Sequence, residues 1–245
     1  MPAGLDGNPN PVVTEARTIV LNTVADSILR IARTRVLVGI DGQSGSGKST
    51  FSDELAAVIR GNGVRVIRST TDSFHRPRAQ RVRLGPTSAE GFYADSHQLD
   101  VIAGELLRPF SEGAGQVRVA AFDEPSDTPL HEVVEVDAAQ TVLIFDGLFL
   151  QRPELERWWD RSVYLDANER RDREWLDFLL ADLPESAAAR AAIIDERLQR
   201  ARWPRYRSGW RTYVEQTGPA SKASMVIDNN DVSHPRIIDR AATNS

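Results

Sequence analysis

Eight consecutive residues, Gly42-Gln43-Ser44-Gly45-Ser46-Gly47-Lys48-Ser49, fit the pattern G-x-x-x-x-G-K-[ST] in full. That pattern works only between a strand and a helix. Its glycines let the backbone approach closely, so that successive N–H groups ring a phosphate. The following helix adds its positive N-terminal end. Lys48 supplies a point charge for the β- and γ-phosphates, and the Ser49 hydroxyl can ligate Mg²⁺. The flanks comply: Val36–Ile40 reads as a buried strand, and the apolar spacing from Ser49 to Ile59 reads as a helix. Gly42, Ser44, Gly45, Ser46, Gly47, Lys48, Ser49 and Thr50 are therefore candidate triphosphate-binding residues. A dinucleotide fingerprint fits less well, because Lys48-Ser49-Thr50 follows where a third glycine would stand.

Beyond the loop, Val64, Val66 and Ile67 begin a second strand after the Gly61-Asn62-Gly63 break. Strand, helix and strand in that order predict an α/β chain with a mostly parallel sheet. Short β-like runs at Val117–Phe122 and Val133–Val136 predict a small β insertion. Thr141–Phe145 is the strongest strand signal, followed by Ser162–Leu165 and Ser224–Ile227. A short helix is expected at the C-terminus. Residues 1–11 are rich in Gly, Pro and Asn and read as a lead-in. Ala16, Val20, Val24, Ile28 and Ile31 mark an amphipathic helix packed on the main body. The expected division is a lead-in and helix over 1–34 and one catalytic domain over 35–245.

Composition bounds the remaining choices. The 245 residues carry 35 acidic and 30 basic side chains and a net charge of −5, which disfavours a general nucleic-acid binder. Only Lys48 and Lys222 are lysines; the other basic residues are arginine. The absence of cysteine excludes disulfides, thiolate metal sites and a cysteine nucleophile. No signal-peptide pattern or membrane-spanning run is evident, so a cytoplasmic location without membrane partners is expected. Homo-oligomer formation is left open.

Two carboxylates end predicted strands. In Val142-Leu143-Ile144-Phe145-Asp146-Gly147 the apolar run terminates in Asp146, the expected partner of Ser49 on Mg²⁺; a buried strand closing in an Asp-Gly turn is the plainer alternative. Thr70-Thr71-Asp72-Ser73-Phe74-His75 places Asp72 at a strand end that faces bound ligand in a parallel sheet. Asp72 could align an attacking hydroxyl and accept its proton, or simply cap a turn; His75 could touch substrate. A guanine-reading Asn-Lys-x-Asp is impossible, because the only lysine outside the loop lies in Ser221-Lys222-Ala223-Ser224, which leaves small-molecule kinase chemistry in front. Six arginines between Arg197 and Arg211, interleaved with Trp203, Tyr206 and Trp210, read as a helical lid that closes over triphosphate and excludes water. A nucleic-acid patch and a solvated face are the alternatives. Arg170, Arg171 and Arg173 form a second arginine group, suited to charge on a transferred phosphoryl.

Taken together, GIDGQSGSGKST, TDSFHRPR, GPTSAEGFYADSHQLD, VLIFDGLFLQRPEL, WWDRSVYLD, RYRSGWRTYVEQTGP and ASMVIDNND run in one order from about Val36 to Asp231. In that order they resemble the uridine kinase-like branch of the phosphate-loop small-molecule kinases, which also includes phosphoribulokinase and one type of pantothenate kinase. The resemblance implies a three-layer P-loop NTPase fold and ATP- or GTP-dependent transfer to a hydroxyl of a nucleoside-like molecule. It implies that Asp72 is the catalytic aspartate and that Tyr93 lies in the substrate-binding stretch. It also places Asn229 and Asn230 near the nucleotide base, with Arg170 or Arg173 as the arginine of the lid motif. Asp146 stands where uridine kinases commonly have glutamate, and GFYADSHQLD departs from their usual form. The acceptor thus stays open among nucleosides, pentose phosphates, sugars and pantothenate. A regulatory or RNA-associated NTP-binding protein is the alternative from another class.

Overall fold

The computed structural model describes residues 14–168 and 203–238. Its centre is a six-stranded sheet in the order β2-β5-β1-β6-β7-β8. The strands are β1 Arg35–Gly42, β2 Arg65–Thr70, β5 Thr141–Gly147, β6 Arg161–Asp166, β7 Met225–Asp228 and β8 Arg236–Ile237. The first five are mutually parallel, and β8 alone runs antiparallel, on β7.

Strand periodicity divides the core into two slabs. Val36, Val38 and Ile40 of β1, with Val142 and Ile144 of β5, face α1 (Glu15–Leu29) and α2 (Lys48–Gly61). Leu37, Leu143 and Phe145 face the opposite way. There they meet a helical run formed by Leu99–Val101, a π-helical stretch Ile102–Leu107 and Arg108–Ser111. Helices on both faces of a parallel sheet make the three-layer α/β architecture. Each fully buried Leu or Ile in these slabs contributes about 1.5–3 kcal/mol.

The β insertion is an antiparallel hairpin, β3 Gln116–Asp123 and β4 Thr128–Glu135, which forms a separate sheet. Val117, Val119 and Ala121 of β3 join the second slab, and Ser69 Oγ donates to the Val119 carbonyl at 2.7 Å. The N-terminal helix keeps the expected buried face at Val20, Val24 and Ile28, but it also buries Arg17. That guanidinium bonds Glu54 of α2 at 2.6 Å and the Val232 carbonyl at 2.8 Å, so α1 clasps both α2 and the loop after β7.

The expected C-terminal helix is not formed over the described residues 229–238, and residues 239–245 lie outside them. Residues 236–237 are strand because β7 otherwise ends the sheet with open backbone groups; Ile227 and Asp228 pair with Ile237 and Arg236 instead. An Arg236–Asp228 ion pair at 2.8 Å fixes that register.

Register is what builds the site. Ile40 and Thr70 both lie opposite Asp146, so the C-terminal ends of β1, β2 and β5 come level. The phosphate loop, Asp72 and Asp146 therefore share one rim of the sheet.

Candidate active site

Residues 43–47 bridge β1 and α2. Gly45 and Gly47 have φ of +74° and +85°, values that an L side chain rarely adopts. A Cβ at Gly42 would stand 2.7 Å from Ser46 Oγ and 2.8 Å from the Leu165 carbonyl. Asn229, wholly buried, donates through Nδ2 to the Ser46 carbonyl at 2.7 Å and so holds the loop from the β7 side. Asn230 is one step removed. Its side chain donates to Asp228 and accepts from the Asn168 N–H at 2.8 Å, fixing the strand-end loops of β6 and β7 together.

Lys48 Nζ donates to the Gln43 carbonyl at 2.7 Å. Burial pulls its ammonium below the usual lysine range, against the opposing pull of Asp146, Asp72 and Asp41. All three carboxylates are thus within electrostatic reach of one cation.

Ser49 Oγ donates to Asp146 Oδ2 at 3.0 Å, and Thr50 continues the first turn of α2. Asp146 is almost fully buried, and its other oxygen, Oδ1, faces Arg68 of β2 at 2.8 Å. Burial raises the Asp146 carboxyl above the carboxylate range, while Arg68, Lys48 and Ser49 pull it down. A serine hydroxyl beside a carboxylate oxygen is a hard-oxygen donor pair. It fits Mg²⁺, whose other positions would go to phosphate and water.

Asp72 is the second residue of a 3₁₀ turn, Thr71–Phe74, whose first and last residues are anchored. Phe74 is fully buried, and Thr71 Oγ1 accepts from the Leu148 N–H at 3.3 Å; Asp72 between them is left exposed. The His75 ring bonds the Asp72 carbonyl at 3.0 Å. The segment is joined to 96–98 by Arg76 N–H to Ser96 carbonyl and Gln98 N–H to Phe74 carbonyl bonds of 2.9 and 2.8 Å. The junction sets the rings of His75 and His97 4.8 Å apart between centroids, and brings a donor atom from each of them and from Asp72 within 4.8 Å of one another. Burial, then the neighbouring His75 and arginines, push His97 well below the usual histidine range, so its imidazole is neutral at pH 7.

These groups line a cleft of about 590 Å³ together with Ser44 of the phosphate loop. Its far wall is the hairpin, through Phe122, Asp123, Glu124 and Glu132, and its closing side is Arg205 and Tyr206 of α7 (Trp203–Thr217). Helix α4 (Ala89–Asp95) contributes Phe92. Tyr93, its neighbour, packs on Phe149 and lies under the Arg152 guanidinium at 4.3 Å, in the aromatic cluster beside the cleft. A second recess of about 350 Å³ also touches Ser44 and is lined by Gln43, Tyr164, Asp166, Trp210 and Arg211. Arg170, Arg171 and Arg173, with Arg197, Arg200 and Arg202 of the expected lid, lie outside the described residues.

Sequence reasoning missed His97, Arg81, the hairpin wall, Arg68 as the partner of Asp146, and Asn229 as the residue that touches the loop. His97 had a signal, lying within the singled-out GFYADSHQLD stretch. Asn229 had one too, since the resemblance places it near the nucleotide base. Arg81, Arg68 and the hairpin's place in the wall had none, because each depends on which segments become neighbours.

A phosphate loop after the central strand, a carboxylate on the adjacent strand and an acceptor-sized cleft define a P-loop kinase. The sequence matches the Phosphoribulokinase / Uridine kinase family over residues 37–217, and the chain belongs to that family. It is 25% identical to the uridine kinase of Leuconostoc citreum over 163 residues, which is 66% of this chain and 76% of that protein. It is 31% identical to the pantothenate kinase of Bradyrhizobium diazoefficiens over 153 residues, 57% of this chain and 47% of that one. A solved structure described as a possible uridine kinase from Bacillus stearothermophilus superposes with a TM-score of 0.66, at 23% identity, over 85% of this chain and 97% of that chain. Among the described residues, no helix is long and apolar enough to cross a membrane.

Proposed function

We propose that this kinase moves the γ-phosphoryl of ATP or GTP to a hydroxyl of a neutral, nucleoside-like small molecule. The observation that carries the reading is the position of Asp72. It stands on the lip of the acceptor cleft and also within the electrostatic reach of Lys48. A hydroxyl placed there faces both a base and the end of a loop-bound triphosphate.

In that reading the loop amides and Lys48 hold the β- and γ-phosphates. Ser49 and Asp146 hold the Mg²⁺, which when bound neutralises charge on the phosphates. Asp72 orients the acceptor oxygen and takes its proton as that oxygen bonds to the γ-phosphorus. The bond from phosphorus to the β,γ-bridging oxygen breaks, and the nucleoside diphosphate leaves with the electron pair.

The charge of the cleft supports a neutral acceptor over a phosphorylated one. Arg81 is already paired with Glu124 and Asp127, Arg76 with Asp100, and Arg205 donates to the Arg81 and Pro86 carbonyls. Among the described residues, the cleft offers a ligand Asp123 and Glu132, a neutral His97 and aromatic surface, which suits hydroxyls and a flat ring. The test is a panel of nucleosides, pentose phosphates, sugars and pantothenate with Mg·ATP or Mg·GTP, following ADP or GDP release and product mass. A phosphorylated nucleoside is the expected product. A panel in which only a phosphate-bearing acceptor reacts would overturn the neutral-acceptor reading.

A further inference from the structure

Beneath the phosphate loop lies a carboxylate that the transfer chemistry does not use. Asp41 is the residue before Gly42, and it is completely buried. Oδ1 accepts from the Gly42 N–H at 2.8 Å, and Oδ2 accepts from the hydroxyl of Tyr213, also wholly buried. The same hydroxyl accepts from the Gln151 N–H at 2.9 Å. One buried network therefore joins the end of β1, the segment after β5 and the middle of α7.

The position of that network gives it a consequence. Tyr213 is two turns beyond Tyr206, which lines the acceptor cleft, and the face between them carries Trp210 of the second recess. Phe149 and Trp210 pack on the Tyr213 ring, with centroids at 5.1 and 5.0 Å, so the ring would stay seated without its hydroxyl. What the hydroxyl adds is register, since it ties α7 to the residue from which the phosphate loop departs. A buried carboxylate with both oxygens engaged tolerates little displacement of either partner.

We propose that Asp41 and Tyr213 are positioning residues that couple α7 to the phosphate loop, so that filling the loop with a nucleoside triphosphate steadies the helix closing over the acceptor. The proposal rests on the reading of the loop as a triphosphate site. Tyr213→Phe removes the hydroxyl and keeps the ring. Asp41→Asn keeps the shape but offers one acceptor oxygen where the Gly42 N–H and the Tyr213 hydroxyl require two.

The experiment is backbone hydrogen exchange with and without Mg²⁺ and a non-hydrolysable ATP analogue, alongside steady-state kinetics. In the wild type the analogue is expected to slow exchange in both residues 43–50 and α7. In Tyr213→Phe the slowing at 43–50 should persist while that in α7 is lost, and kcat should fall about tenfold with the KM for the donor within about threefold. If Tyr213→Phe does not fold, the same split read in Asp41→Asn decides the matter. Equal slowing of α7 in wild type and variant would overturn the coupling and leave the triphosphate reading intact. No slowing at 43–50 in the wild type would overturn both.

Discussion

The donor half and the acceptor half of this site are built from different materials. Around the phosphate loop the groups proposed to bind the donor are backbone amides of consecutive residues, held by a buried asparagine and by glycines in conformations other residues rarely adopt. The acceptor cleft is made of side chains from separate pieces: the Asp72 turn, the 96–98 segment, α4, the hairpin and α7. The first construction cannot be altered without rebuilding a backbone. The second can be altered one side chain at a time. Relatives of this chain carry the names uridine kinase and pantothenate kinase.

The contrast can be broken most severely on the donor side. Lys48→Met should lower kcat/KM about 10³-fold, as the loss of one preorganised charge at the transferred phosphoryl does elsewhere. Acceptor affinity, read by calorimetry without nucleotide, should stay unchanged. A matching loss of acceptor binding would mean that the halves are not separate.

A second test concerns stability and pH. Burial raises Asp41 to about 6, with Tyr213, Lys48 and the Gly42 N–H pulling it back; Tyr164 of β6 also faces it. The folded protein thus keeps a proton there up to about pH 6, whereas an unfolded carboxyl gives it up near 3.8. Folded chains bind more protons in between, so this group's contribution to stability falls as pH rises from 4 to 6 and levels off above. The fall should be about 3 kcal/mol. Asp41→Asn should remove that slope from denaturant titrations across the window; an unchanged slope would assign it to another group.

The acceptor side should respond more gently. His97→Gln is expected to raise the KM for the acceptor about tenfold, the scale of one buried hydrogen bond, with the donor KM unmoved. A rise in the donor KM instead would place His97 in the wrong half.

The same division explains what could be read before the structure. The phosphate loop was legible because its residues are contiguous and each glycine and the lysine has a stated mechanical need. The parallel strands were legible because Val36–Ile40 and Thr141–Phe145 are apolar runs buried on both faces. Asp146 and Asp72 could be singled out from their places at strand ends. The pairing of Asp146 with Arg68 depends on β2 lying beside β5, a neighbour relation that no local pattern encodes. Arg17 is the sharper failure, a charged residue on the apolar face of a helix, whose burial makes sense only beside Glu54 and the Val232 carbonyl. The C-terminal strand was missed for a similar reason, since two residues carry no periodicity and are strand only because β7 needs a partner.

The central claim is that the two halves meet at Asp72. The most direct test compares acceptor-dependent ADP formation by the wild type and by Asp72→Asn, with Mg·ATP affinity measured in parallel. The expected result is a loss of at least about 10²-fold in acceptor-dependent turnover with nucleotide affinity within about threefold. Near-normal turnover in Asp72→Asn would contradict the account, because the hydroxyl would then be losing its proton somewhere else.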